Sequence, residues 1–252
     1  MPRLNTRIVY LAWGLLSCWA ASSQAETMEA WQASGIRLQL VPDREASLSA
    51  GAEGVVSDIN VREGQAFSRG EVLFRQDCRL EAAQRRRVSS ELIIAEQKME
   101  VMTRLDSLNS VSQLDKAVAS GERDKWLAEA DIIKTKLDLC VVKAPFDGKV
   151  VELHMSEHEW ARPGDVVLDI ISSSPPLVEM IVPSQAIARL SSGAEVQIFI
   201  DELSNSFVAQ VTAIGARIDP VSQSVEVKAK ILEPTDMLIP GMTGEARFGA
   251  AK

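Results

Sequence analysis

Two stretches of this 252-residue chain are copies of each other, and this repeat constrains the fold more than any other feature. Residues 50–74 align with residues 144–168 without a gap, at a constant offset of 94 (144 − 50). Glycines and apolar residues recur at matching positions, as in the pairs Gly54 with Gly148 and Val56 with Val150. Each copy alternates short β-branched runs with glycine turns and is too small to bury its own apolar face. We therefore expect the two copies to combine into one β-sandwich.

The segment between the two copies has the periodicity of helices. From Arg79 to Leu108 it contains neither glycine nor proline, and apolar residues recur at alternating spacings of three and four, the pattern of a helical seam. A break at residues 109–112 separates this seam from a second one. We predict an antiparallel helical hairpin over residues 79–139. Its first seam is Val88, Leu92, Ala95, Met99, Met102 and Leu105, and its second is Leu114, Val118, Gly121, Ala128, Ile132 and Leu139, with Lys125 and Thr135 at weaker positions.

The first 25 residues have the features of an export signal. Arg3 and Arg7 precede an apolar stretch at residues 8–21, and small residues follow at 23–25. We predict cleavage after residue 25. The alternative is lipidation of Cys18, which follows the residues Leu-Leu-Ser as in bacterial lipoprotein signals. In either case the protein leaves the cytoplasm.

Two cysteines, Cys78 and Cys140, flank the helical segment. Their midpoint is Asn109, which lies in the predicted turn, so a hairpin folded there brings the two cysteines side by side at its base. An even pair of cysteines in an oxidising compartment indicates a disulfide. We predict a bridge between them, worth about 4 kcal/mol for a loop of this length; two buried free thiols are the alternative.

Composition excludes several classes of function. The formal net charge of −8 produces no field that would attract phosphate backbones, so we expect no nucleic-acid partner. The two histidines, His154 and His158, lie four residues apart in a predicted strand and turn, where they need not share a face. We therefore expect no metal site. The sequence also shows no nucleophile and base pair and no glycine-rich phosphate loop, so we expect no catalytic residues, no cofactor and no enzyme activity.

Several sequence runs resemble a known family. The runs GVV at residues 54–56, GQAFSRGEVL at 64–73, APFDGKVV at 144–151 and GDVVL at 164–168 are similar to the split lipoyl/biotinyl-like domain of periplasmic adaptor proteins. These proteins are also called membrane fusion proteins of the hemolysin-D type. The runs IDPVSQSVEV at 218–227 and LIPGM at 238–242 resemble the β-barrel signature of the same family, most of all its RND-efflux adaptor branch. The resemblance covers residues 35–248.

The resemblance implies a mainly β fold with an α-helical hairpin. It consists of a split lipoyl/biotinyl-like β-sandwich, an antiparallel coiled-coil hairpin inserted between its halves, and a small β-barrel domain. We expect a short helix at residues 184–190, capped by Ser184, within the barrel domain. The barrel strands are expected at 35–41, 177–182, 195–200, 207–214, 224–231 and 243–248. The expected organisation is a signal peptide at 1–25, an N-terminal segment with a barrel strand at 26–41, sandwich halves at 42–78 and 140–173, the hairpin at 79–139 and the barrel domain at 174–249.

The resemblance also implies a role. Adaptors of this kind link an inner-membrane transporter, of the RND or ABC type, to an outer-membrane channel in efflux or secretion systems, and they self-associate in a ring. The expected location is the periplasm, with a tether to the inner membrane if Cys18 is lipidated. The alternative is a lipoyl-like carrier or a metal-handling periplasmic protein. A carrier needs a lysine between the half-motifs, whereas that junction here reads Gln76-Asp77-Cys78; Lys149, beside a glycine turn, is expected to be an ordinary solvated residue.

The hairpin tip is the expected docking site for the channel. The family motif is Arg-x-x-x-Leu on the first helix, matched by Arg104 and Leu108, and Ser-x-x-x-Leu-Asp on the second, matched by Ser110, Leu114 and Asp115. Only one residue separates Leu108 from Ser110, where the family usually has several more. The chain also ends soon after residue 248, whereas typical RND adaptors continue with a membrane-proximal module. Both departures bear on how the chain would contact its partners.

Overall fold

The computed structural model describes residues 35–248 and separates into two compact units. One unit is residues 43–174, and the other combines residues 35–42 with residues 175–248. The predicted export signal, Cys18 and residues 26–34 lie outside the described residues. Between residues 35 and 248, no helix has the length and apolar character needed to cross a membrane.

Strands and helices follow the order expected from the resemblance, and the predicted fold class is confirmed. The strands are β1 (Ile36–Val41), β2 (Glu45–Ser49), β3 (Gly54–Ile59), β4 (Ala66–Phe67), β5 (Val72–Gln76), β6 (Val141–Lys143), β7 (Gly148–Leu153), β8 (Trp160–Ala161), β9 (Val166–Ser172), β10 (Leu177–Pro183), β11 (Glu195–Ile200), β12 (Asn205–Ile214), β13 (Ser224–Ile231) and β14 (Thr243–Phe248). The helices are α1 (Arg79–Ser107) and α2 (Gln113–Leu139).

The sandwich is built from both copies of the repeat, as predicted. Its two sheets have the orders β2-β9-β7-β4 and β6-β5-β3-β8, so each strand of one sheet has its repeat counterpart at the same place in the other. The core contains the matched pairs Val56 with Val150 and Phe74 with Leu168, all of them buried. Neither copy could bury these residues alone, because every sheet takes two strands from each copy.

The hairpin forms with the predicted seam on α1 but with a different face of α2. Val88 and Ala95 of α1 are buried, in line with the prediction. On α2 the predicted seam was wrong: Val118 is 55% exposed, whereas its neighbour Ala119 is completely buried and Ile133 is buried as well. The physical reason is the disulfide. Cys140 lies 7 residues after Ile133 and 21 after Ala119, so its bond to Cys78 turns this heptad line toward α1.

The second unit is a closed six-stranded barrel in the order β1-β10-β13-β12-β11-β14. Strand β1 closes it by pairing with both β10 and β14. Alternate residues point inward and form one core, which includes Leu40, Met180, Ile198, Ile200 and Ile231. β12 begins at Asn205, two residues earlier than predicted.

The short helix of the barrel unit differs from the prediction in two respects. The helix is of the 3-10 type and ends at Arg189 rather than at residue 190, and the residue before its first turn is Pro183 rather than Ser184. No side chain caps this turn. The Ser184 N–H instead donates to the carbonyl of Gln223 at 2.8 Å. So short a connector makes too few bonds between residues four apart to maintain an α-helix, which is why 3-10 geometry is common in such segments.

Candidate functional site at the hairpin tip

The turn between α1 and α2 is tight and is stabilised by backbone hydrogen bonds. Asn109 adopts a left-handed conformation with φ of 55°, and its N–H donates to the Asp106 carbonyl at 2.9 Å. The N–H of Ser110 donates to the Leu105 carbonyl, also at 2.9 Å. These two bonds form a Schellman motif, which satisfies carbonyls that the end of a helix otherwise leaves free. Asparagine tolerates this conformation better than most residues, so the chain can reverse within residues 108–112.

The start of α2 is equally well defined. The hydroxyl oxygen of Ser112 accepts the N–H of Asp115 at 3.0 Å, and the Ser112 hydroxyl donates to the Asp115 carboxylate at 2.6 Å. This arrangement is an N-cap, and the acidic side chain also interacts favourably with the positive end of the helix dipole. Across the hairpin, Lys116 Nζ lies 2.5 Å from Asp106 Oδ2. The tip therefore has one defined shape.

The predicted docking residues lie at this end of the hairpin, and they divide into two groups. Leu108 is 67% exposed and Leu114 is 72% exposed, one on each side of the turn. Both side chains leave apolar surface in contact with water, which a partner protein would bury. Arg104 is exposed and pairs with Glu100 of its own helix at 3.0 Å, while Asp115 serves the N-cap. Ser110 contributes its backbone to the turn.

A shallow groove of about 630 Å³ adjoins the tip. Most of its lining comes from α1, and Arg123 of α2 completes it. Sequence reasoning did not identify this groove, because it depends on which residues the two helices bring together. The residues that line it on α1 are Glu96, Met99, Glu100, Thr103, Arg104 and Ser107.

Two lines of exposed apolar residues run along the outside of the hairpin. We call the first the α1 outer line; its members recur every seven residues, with Arg87 in the place of one apolar residue. The α2 outer line is the seam that the sequence assigned to contacts within the hairpin. Each line has the heptad spacing of a coiled-coil seam without a partner helix. The α1 outer line is Leu80, Ile94, Val101 and Leu108, and the α2 outer line is Leu114, Val118, Ile132 and Leu139.

At its other end the hairpin is anchored to the sandwich. The predicted bridge between Cys78 and Cys140 is present, with their Cα atoms 6.3 Å apart. Beside it the buried side chain of Gln76 donates to the Ala52 carbonyl at 2.6 Å and accepts the N–H groups of Gly51 and Ala52, each at 3.1 Å. Sequence reasoning missed this anchor. A glutamine next to a predicted disulfide could have indicated it, because buried amides need several partners.

Comparison with known proteins gives matches for the barrel and for the fold as a whole. A family profile described as the CusB-like β-barrel domain matches residues 178–252. An uncharacterised protein of Haemophilus influenzae is 27% identical over 210 residues, which make up 82% of this chain and 55% of that protein. The chain thus spans about half the length of that relative.

Solved structures of adaptor proteins share the fold. A MacA–MexA chimera containing the Pseudomonas aeruginosa MexA α-hairpin domain has a TM-score of 0.78 at 18% identity, covering 86% of this chain and 81% of the chimera. The membrane fusion protein Spr0693 of Streptococcus pneumoniae R6 has a TM-score of 0.71 at 17% identity, covering 86% and 99%. MacA of Actinobacillus actinomycetemcomitans has a TM-score of 0.61 at 14% identity, covering 84% and 76%. These matches confirm the predicted resemblance at the level of the fold: the chain has the fold of solved periplasmic adaptor proteins, and its residues 178–252 are similar to the CusB-like β-barrel domain.

Proposed function

We propose that this chain is the periplasmic adaptor subunit of a multicomponent efflux or secretion system. It links an inner-membrane transporter to an outer-membrane channel, and it acts through its surfaces rather than through catalysis. The observation that carries this proposal is the disulfide-closed hairpin with two exposed leucines at its tip. A surface of this kind is suited to protein contact, and the similarity to structures named as membrane fusion proteins supports the same reading.

The tip is the proposed contact for the channel. Leu108 and Leu114 would enter apolar pockets of the partner, and Arg104 would exchange its exposed pairing with Glu100 for an acidic group there. That exchange costs little, because an exposed pair of this type contributes only about 0.3–0.5 kcal/mol. The Schellman turn and the Ser112 cap hold the tip in one conformation before binding, which lowers the entropy lost on docking.

The two outer lines, apart from their tip members Leu108 and Leu114, are the proposed contacts between copies of the chain. If the α1 outer line of one copy packs against the α2 outer line of the next, each copy uses two different surfaces. Such a head-to-tail contact closes into a ring when the rotation between copies is suitable. Burial of these residues between neighbours would also explain why an exported hairpin keeps two apolar heptad lines on its outside.

The carrier alternative has no support from the position of Lys149. This lysine lies within strand β7, in register with Ile171 of β9 and Ala66 of β4, rather than in an exposed turn between the halves. A lysine that carries lipoyl or biotin must swing between active sites. We therefore do not propose a carrier function.

The experiment is an affinity purification from crosslinked cell envelopes, with the channel-to-transporter ratio measured by mass spectrometry. We expect the wild type to recover both an inner-membrane transporter and an outer-membrane channel. The variant L108A/L114A should recover as much transporter as the wild type and at least about 30-fold less channel. Two anchor residues that each contribute about 1 kcal/mol to binding correspond to that factor.

The matched control is I93A/L127A, which removes two exposed apolar side chains near the middle of the hairpin that belong neither to the tip nor to the two outer lines. It should retain the channel under crosslinking. Loss of the channel by both double variants would assign the effect to general hairpin damage rather than to the tip. If the wild type recovers neither membrane partner, the adaptor function itself is refuted.

A further inference from the structure

A histidine and two carboxylates converge on the outer face of the sheet β2-β9-β7-β4. Glu152 of β7 lies directly opposite Asp169 of β9, and the bulge at Val151 determines this register. His154 follows two residues after Glu152, and its backbone N–H donates to the carbonyl of Val167 on β9 at 2.8 Å. Because Leu168 and Ile170 on either side of Asp169 point into the core, Asp169 itself points away from it.

The three side chains are close enough to share one ligand. His154 Nε2 lies 2.6 Å from Asp169 Oδ2, and His154 Nδ1 lies 3.9 Å from Glu152 Oε1. One ligand atom from each of the three residues can be chosen so that all lie within 4.8 Å of one another. The histidine thus bridges two acidic residues on neighbouring strands.

The cluster carries more negative charge than the neighbouring basic side chains neutralise. Glu152 and Asp169 are opposite each other across two strands, where like charges repel. Glu63 adds a third carboxylate, whose Oε1 accepts the N–H of Leu153 at 3.1 Å. Within residues 35–248 no lysine or arginine forms a salt bridge with any of these three carboxylates. The hydrogen bond to Asp169, together with the charges of Glu152 and Glu63, raises the pKa of His154.

One oxygen of the cluster lacks a partner. Asp169 Oδ1 is buried and accepts no hydrogen bond of ordinary geometry. Ser47 of β2 is in register with Asp169. A buried carboxylate oxygen without a partner is unusual, even on a side chain that is 33% exposed as a whole, and a bound ion is one arrangement that satisfies it.

We propose that Glu152, His154 and Asp169 bind a divalent transition-metal ion of the zinc class. One imidazole nitrogen and two carboxylate oxygens form a ligand set that such ions accept, with an open fourth position. Tetrahedral bonds of about 2.0–2.1 Å place ligand atoms about 3.3 Å apart. Glu152 and His154 are exposed, so their side chains can rotate to this spacing, with His154 Nε2 and Asp169 Oδ2 moving apart from 2.6 Å.

This inference goes beyond the proposed function, since bridging two membranes requires no metal ion. It also departs from the sequence-based expectation, which considered His154 and His158 and found no site. The structure does not join the two histidines in one site. His158 lies in a turn with φ of 71°, and its N–H donates to Val56 on the other sheet. The true neighbours of His154 come from strand pairing, which spacing along the chain does not show.

The test is titration of the untagged, exported protein with Zn²⁺ by isothermal calorimetry at pH 7.5. We expect one equivalent to bind to the wild type. Substitution H154A or D169N should weaken binding by at least about 10-fold, since even residues behind the ligands commonly contribute that factor. The variant H158A is the matched control and should bind as the wild type does.

The variant E152Q keeps the test valid if H154A or D169N fails to fold. Among the described residues the only charged partner of Glu152 is His154, so this substitution should leave the fold intact, as checked by circular dichroism. Weaker Zn²⁺ binding by E152Q supports the site. The proposal is overturned if the wild type binds no Zn²⁺, if folded E152Q and H154A bind like the wild type, or if H158A weakens binding as strongly as H154A.

Discussion

At the scale of single residues, two glycines of this chain have opposite requirements. Gly148 begins β7, where a Cβ atom would lie against the carbonyl oxygen of Ile171 and 2.8 Å from the ring of Phe67. Gly121 lies on the exposed face of α2, where a Cβ atom would meet nothing within 4 Å. One glycine therefore permits close approach of two strands, and the other only weakens a helix.

The substitutions G148A and G121A should change stability in opposite directions. We expect G148A to lower the free energy of unfolding by about 1–3 kcal/mol through overpacking. We expect G121A to raise it by about 0.5–1 kcal/mol, since alanine is the better helix former. Urea denaturation followed by circular dichroism measures both. If G148A had the same free energy of unfolding as the wild type, strands β7 and β9 would be able to move apart without loss of stability.

At the scale of elements, the helical hairpin shows why one seam was predicted correctly and the other was not. On α1 the buried residues are the most regular apolar line, so pattern and structure agree. On α2 there are two lines of apolar residues, and the one that the sequence analysis chose lies outside. Hydrophobic periodicity compares the two lines only by how apolar their residues are. The disulfide adds a second constraint, because it holds the heptad line that contains Cys140 against α1.

The pair A119D and V118D tests this correction. Ala119 is buried against α1, so A119D should lower the free energy of unfolding by about 3 kcal/mol or more through burial of an unpaired charge. Its neighbour Val118 is exposed, so V118D should change the free energy by less than about 0.5 kcal/mol. Thermal unfolding measured at 222 nm distinguishes the two. If V118D lowered the free energy of unfolding more than A119D, the seam predicted from the sequence would be the correct one.

At the scale of the whole molecule, the two compact units should respond independently to the loss of the disulfide. The bridge joins residues 62 apart in sequence, and both cysteines belong to the unit of residues 43–174. A loop of this length corresponds to about 4 kcal/mol of stabilisation. Hence the double variant C78A/C140A should destabilise that unit by about this amount and leave the barrel unit unchanged.

Hydrogen exchange with mass spectrometry measures this prediction unit by unit. Peptides from α1, α2 and the sandwich strands should exchange faster in C78A/C140A, whereas peptides from β10 to β14 should exchange at the wild-type rate. Faster exchange in the barrel strands would show that the two units unfold as one.

Local pattern in the sequence was sufficient for much of this fold. The repeat between residues 50–74 and 144–168 predicted a sandwich shared by two copies, because matched apolar positions need a common core. The break in periodicity at residues 109–112 predicted the turn, and the midpoint of Cys78 and Cys140 at Asn109 agreed with it and predicted the bridge. Alternation of apolar residues predicted the barrel strands to within about two residues, the usual precision of strand ends. The exposed leucines of the tip were also identified, and their role in docking stays a prediction.

What the tertiary structure alone decided involves residues whose neighbours come from elsewhere in the chain. The inward face of α2 depends on the bridge that holds Cys140 against α1, whereas apolar periodicity within α2 alone offers two candidate faces. The cluster of Glu152, His154 and Asp169 depends on a bulge in β7 and on the register of β9, where a shift of one residue would place Asp169 on the opposite face. Periodicity determines which side of an element is apolar, whereas register and covalent links between distant residues determine what each side meets.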